Sequence, residues 1–208
     1  MSTAPTIFVL DLGLGNIASI CRMIEKVGGK AKLVRLPSDL RPDTSLVLPG
    51  VGHFDHGVRI LRAAGFDSQS FSDLLEGNCR ILGICLGMQL LCKSSEEGSE
   101  LGLGLINAEV KRFRFPAADN LKVPHVGWNV VRPERVSPLF TSFDQEYRFY
   151  FVHSYRVIPD DSSITIGTAN YGGDFCAAFQ KDNIFGVQFH PEKSHRFGMA
   201  LLKRFVAL

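Results

Sequence analysis

The sequence predicts an α/β fold whose central, mostly parallel sheet is flanked by helices and whose C-terminal half is rich in strands. Three observations carry that expectation. Up to Leu91, short apolar runs alternate with segments of helical spacing, the order that lays strands side by side and helices across them. The runs are continuously apolar, as strands covered on both faces require; a half-exposed sheet would alternate polar and apolar residues. Beyond Leu105 the texture changes to short β-branched and aromatic runs separated by Pro, Gly, Asn and Asp.

Taken in order, residues 6–12 (TIFVLDL) form the first strand and end in a glycine corner. Residues 16–27 follow as a helix with Ile17, Ile20, Ile24 and Val27 on one face. Residues 31–36 read as a second strand closed by Pro37, 45–48 as a third, and 54–64 as a second helix. The fourth strand is 80–84, with a helical run after it. In the C-terminal half LINAEVKRFRF, YRFYFV, SSITIGTAN, FCAAFQ and IFGVQF are strand candidates. Residues 196–208 close the chain as a helix that packs Phe197, Leu201, Leu202 and Phe205 on the sheet.

A chain of 208 residues buries one core of ordinary size, so a single domain over 1–208 is expected. Its 23 Lys and Arg against 21 Asp and Glu leave a net charge of +2 with no basic block, which speaks against nucleic acid or an anionic membrane as partner. Glycine-broken apolar runs and an N-terminus, MSTAPTIFVLDLG, without a basic region predict neither a spanning helix nor a signal peptide; a cytoplasmic protein is expected. Cys21, Cys79, Cys85, Cys92 and Cys176 are odd in number and form no C-x-x-C pair, so reduced thiols are expected rather than a disulfide framework or zinc site. HFDH, with His53 and His56, has no second cluster of matching spacing, so no metal is expected there.

Two glycine corners follow apolar strands. At the first, Gly13, Gly15 and Ala18 satisfy G-x-G-x-x-A, a form of the dinucleotide fingerprint. The acidic ribose ligand should stand about 20 residues on. Arg35 and Leu36 occupy that place, and Asp39 comes only after Pro37, so a tight βα turn is the expected reading. A nucleotide-binding domain with a structural Cys85 is the alternative from another class.

The second corner, Gly83-Ile84-Cys85-Leu86-Gly87, is G-x-C-x-G, the thiol form of the nucleophile elbow. Its glycines permit the close approach such a turn forces, and the N-terminus of the following helix favours negative charge on the sulfur. A nucleophile needs a base and a group to orient it. In FGVQFHPEKS, Pro191 disfavours the helical region for His190 and holds the segment extended, so Glu192 projects to the same side as His190 and can hold its ring. A carboxylate on one ring nitrogen leaves the other free to take the thiol proton.

Together these residues resemble the class I (triad) glutamine amidotransferases, and within them the glutaminase subunits of imidazole glycerol phosphate synthase. GNI at 15–17, PGVGHF at 49–54, GICLGMQLL at 83–91, PHVGWN at 124–129, and YFVHSYR with GVQFHPEKS carry the resemblance, in order and from end to end. It implies a flavodoxin-like fold and a Cys85–His190–Glu192 triad that hydrolyses L-glutamine without a cofactor. It further implies an oxyanion site from Leu86 N–H and the Gly50-Val51-Gly52 loop, and substrate contacts from Gln89, Glu97, Ser154 and Tyr155, with adjacent Glu96 able to take the place of Glu97. The ammonia would pass to a HisF-like (β/α)8 barrel synthase subunit in a heterodimer, with Asn16, Trp128, Tyr150 and Lys193 at the interface, for imidazole glycerol phosphate and AICAR formation in histidine biosynthesis. The segment GLGLINAEV departs from the GLGLIPGxV expected of that pathway, and the same resemblance extends to glutaminases that supply ammonia for amidine formation on surface sugars.

Overall fold

In the computed structural model, which describes residues 4–141 and 146–208, the continuous apolar runs lie side by side at the centre of one sheet. The N-terminal reading made on residues 1–3 falls outside the described residues. β1 (Thr6–Leu10), β2 (Lys30–Val34), β3 (Ser45–Gly50) and β4 (Arg80–Cys85) pair in parallel in the order β2-β1-β3-β4. The crossovers are α1 (Ile17–Lys26), then α2 (Phe54–Ala63) with α3 (Ser68–Glu76), and α4 (Leu86–Leu90) starts directly from β4. β1 stops at Leu10 rather than residue 12, because Asp11 turns its carboxylate to Arg35, 2.6 Å away at the end of β2. Helix α3 was not anticipated: Phe71 is its one buried residue, so its apolar stripe is thin, and its start is set by Asp67 accepting the Ser70 N–H at 2.8 Å.

The period of two along each strand feeds two cores. Ile7 and Val9 join Ile20, Ile24, Leu201 and Phe205 in one layer, while Phe8 and Leu10 join Phe54, Val58, Leu61 and Phe71 in the other. The first layer is covered by α1 and the terminal helix α5 (His195–Val206), the second by α2 and α3. Truncating a fully buried phenylalanine of this kind costs about 3–5 kcal/mol, so these layers hold the sheet that carries the site.

The C-terminal half continues the sheet with antiparallel pairings. Its strands are β5 (Ser94–Ser95), β6 (Ala108–Arg112), β7 (His125–Pro133), β8 (Tyr147–His153), β9 (Tyr155–Pro159), β10 (Thr165–Asn170), β11 (Asp174–Lys181) and β12 (Ile184–Val187). The order runs on from β4 as β12-β11-β10-β7-β8, with β6 and β9 attached through β11. Strand β7 was not foreseen because it exposes Val126, Trp128 and Val130 and so has no buried run to read. β12 is the seam: parallel to β4, with Val187 opposite Ile84, and antiparallel to β11. Residues 188–192 therefore emerge at the same sheet edge as Cys85.

Candidate active site

The corner after β4 requires an uncommon backbone. Cys85 takes φ 53° and ψ −110°, a region that residues with a Cβ seldom occupy. A Cβ on Gly83 would stand 2.8 Å from the Gly87 carbonyl carbon, one on Gly50 would stand 2.8 Å from the Gly87 nitrogen, and one on Gly87 would overlap the Leu48 carbonyl oxygen. Helix α4 has five residues, so fewer peptides align behind the sulfur than the expected helix would supply. Cys85 faces a cleft of about 310 Å³. Cys79, Cys92 and Cys176 do not line it: Cys79 contacts the Thr44 hydroxyl at 3.0 Å, and burial pushes the other two thiols up, Cys176 to about 12.

Opposite the sulfur, His190 Nδ1 lies 2.8 Å from Glu192 Oε1, with both side chains almost fully buried. The pair is not made by strand alternation. Residues Pro191–Lys193 form a 3-10 turn that curls Glu192 back to the ring. Ser194, fully buried, accepts the Tyr150 N–H at 3.0 Å and donates to the His190 carbonyl at 2.6 Å, bracing His190 from behind. Burial alone would push the His190 imidazole down; the Cys85 sulfur and then the Glu192 carboxylate outweigh it and raise the ring to about 10. The approach to sulfur is looser than a hydrogen bond, since His190 Nε2 makes none among the described residues, a geometry common before substrate tightens a site.

The expected oxyanion and substrate residues converge on the same cleft with one exception. Val51, Gly52, Leu86, Gln89, Glu97, Ser154 and Tyr155 line it, whereas Gly50 ends β3 opposite Cys85 and packs against the turn. Glu97, not Glu96, faces the cleft: it accepts the Phe54 N–H at 2.8 Å, while Glu96 takes the Arg112 N–H and the Arg114 guanidinium. Gln89, nearly buried, commits its Nε2 to Gln188 Oε1 at 3.0 Å and to the Tyr155 carbonyl at 3.4 Å.

Sequence reasoning did not single out Gln188, Ser194, His125 or His153. His153 Nδ1 is 2.7 Å from the Tyr155 carbonyl, which only accepts, so that nitrogen carries the proton. His153 Nε2 then accepts from His125 Nδ1 at 2.9 Å, and His125 Nε2 faces the Asn129 amide at 3.3 Å. Burial pushes His125 down to about 4 and His153 to about 3, so both rings are neutral near pH 7. The two histidines sit opposite each other on β7 and β8, a relation hidden until those strands are paired.

On the surface beside the Pro191–Lys193 turn, Trp128 is 43% exposed, meets Tyr150 edge-on at 6.3 Å and stacks on His195 at 5.6 Å, and Lys193 Nζ lies 5.8 Å over the Tyr150 ring. Asn16 stands outside this cluster as the cap of α1, accepting the Ser19 N–H at 3.3 Å. The G-x-G-x-x-A corner is a tight turn with Gly13 at φ 74° and Gly15 at φ 121°. His53 caps α2 and His56 is exposed on it, as expected of a loop residue and a helix-face residue. No helix among the described residues is long and apolar enough to cross a membrane.

A family model described as glutamine amidotransferase class-I matches residues 8–208. Imidazole glycerol phosphate synthase subunit HisH 2 of Pseudomonas aeruginosa is 46% identical over 202 residues, covering 97% of this chain and 99% of its own. The protein of the same name from Methanococcus maripaludis is 44% identical over 200 residues, covering 96% and 98%. Among solved structures, PurLQS from Thermotoga maritima superposes with a TM-score of 0.70 at 19% identity over 97% of this chain and 96% of that one, a likeness of fold. The chain belongs to the class I glutamine amidotransferase family, in its HisH glutaminase branch.

Proposed function

We propose that Cys85, His190 and Glu192 hydrolyse L-glutamine to glutamate and ammonia, and that the ammonia goes to a HisF-like (β/α)8 barrel subunit making imidazole glycerol phosphate and AICAR in the cytoplasm. The observation that supports it most is the meeting, at one cleft, of a sulfur on a strained strand end with an imidazole bound to a buried carboxylate. The Cys85 proton rests on His190, and the sulfur attacks the side-chain amide carbon, whose C=O electron pair moves onto oxygen. The Leu86 N–H and a peptide N–H of the Val51–Gly52 loop, turned into the cleft, meet that charge. His190 passes the proton to the amide nitrogen, the C–N bond breaks and ammonia leaves a thioester. Water then adds, giving a proton to His190; the C–S bond breaks and glutamate departs, leaving the sulfur beside the charged ring as at the start.

Gln89 and Glu97 hold the head of glutamine, and the Ser154–Tyr155 backbone its carboxylate. The barrel docks as a heterodimer over Trp128, Tyr150 and Lys193, where exposed Val126 and Val130 extend an apolar patch, and reaches Asn16 at the start of α1. The test is ammonia release: Cys85→Ala should abolish it, while Cys79→Ala and Cys92→Ala should retain it. Equal loss in all three would remove the specific nucleophile. A second reading, in which the ammonia makes an amidine on a surface sugar, is favoured by Asn107 and Ala108 standing where the histidine pathway expects Pro-Gly. Identifying the barrel that co-purifies from native cells separates the two.

A further inference from the structure

Behind the cleft, fully buried Gln188 points the Nε2 of its side chain at the Cys85 sulfur, 3.7 Å away. Which end of that amide faces the sulfur follows from its partners. The Tyr155 carbonyl oxygen can only accept, and it receives the His153 Nδ1–H and a Gln89 Nε2–H. Gln89 therefore presents the same NH2 to Gln188, so the Gln188 atom that receives it, 3.0 Å away, is the oxygen. The Gln188 NH2 is left for the sulfur. Its backbone N–H is bonded to the Ala177 carbonyl at 2.9 Å, which anchors the residue to β11 just beyond the end of β12. A neutral thiol is a weak acceptor, whereas a thiolate makes a charge-assisted bond with such a donor. Negative charge gathers on this sulfur before attack and again when the thioester C–S bond breaks.

Resting on the reading of Cys85 as nucleophile, we propose that Gln188 is a further catalytic residue, an N–H donor that stabilises negative charge on the Cys85 sulfur, with its orientation set by Gln89. No covalent bond to Gln188 forms or breaks, and it keeps both amide protons while His190 moves the reacting one. Gln89 thereby serves two masters, the head of the substrate on one side and the donor to the nucleophile on the other.

The test uses Gln188→Met, apolar and of similar length, in the full chain carrying Cys21→Ala. That background makes alkylation by iodoacetamide report on Cys85, because Cys79, Cys92 and Cys176 are buried outside the cleft. The alkylation rate near neutral pH should fall about tenfold, as should kcat, with the KM for glutamine changed by less than about threefold. A merely structural role would lower the melting temperature and leave the alkylation rate of the folded protein alone. A rate within about twofold of the parent overturns the proposal. If Gln188→Met does not fold, NMR of the side-chain NH2 groups in Cys85→Ala decides: the Gln188 pair should shift when the sulfur is removed, and unchanged resonances overturn it. Retained ammonia release in Cys85→Ala would instead refute the glutaminase reading itself, so the two failures stay distinct.

Discussion

On the parallel side of the sheet the corner at Cys85 is shaped by backbone: a strained φ, three glycines whose hydrogens face neighbouring main chain, and a short helix. On the antiparallel side His190 is held by side chains, with Glu192 on the ring and Ser194 on the carbonyl, and of a pair of neutral histidines nearby His153 lines the cleft. The contrast fits the chemistry proposed for each group. A nucleophile must be presented at one point with free access, which a rigid turn provides. A base must change charge during the reaction, which calls for polar partners that respond to it.

The sharpest way to break the backbone side is Gly87→Ala. Its Cβ would enter the Leu48 carbonyl, and a loss of roughly 3 kcal/mol or more is expected in denaturant unfolding, with activity lost along with the corner. Full stability in this variant would mean the corner tolerates another backbone. On the polar side, Glu192→Gln keeps shape and an acceptor but removes the charge. Here kcat should fall about 100-fold with little change in melting temperature, and the His190 ring should titrate at lower pH than in the parent.

The gentlest perturbation is pH itself. His190 lies at about 10, above the ordinary 6.5, so its contribution to stability is complete below pH 6.5 and is lost as pH rises through about 10. His125 and His153, at about 4 and about 3, contribute above pH 6.5 and lose that contribution as pH falls through those values. Ring nitrogen NMR at neutral pH should therefore find His190 charged and the other two neutral. Three rings titrating together near 6.5 would erase the contrast.

What could be read in the sequence tracks the same division. The parallel half was legible because continuous apolar runs, helical spacing and glycine corners are local signals, and G-x-C-x-G named its residue directly. Of the polar half, His190 and Glu192 were legible from HPE, although the turn that joins them was taken for extended chain. Gln188 lies two residues before His190, the same step that pointed to Glu192, and reading the step in both directions would have found it. His125 and His153 could not be found that way. They are 28 positions apart and meet only through the β7–β8 register, on a strand whose outward apolar residues disguise it.

The seam strand β12 has a consequence for how the protein comes into being. Cys85 and His190 meet only after a loop of about 100 residues closes and β12 slides in parallel beside β4, a non-local step that local folding cannot replace. A ribosome delivers the thiol about 100 residues before the imidazole. A chain interrupted before His190 carries Cys85 without the imidazole that completes the proposed triad.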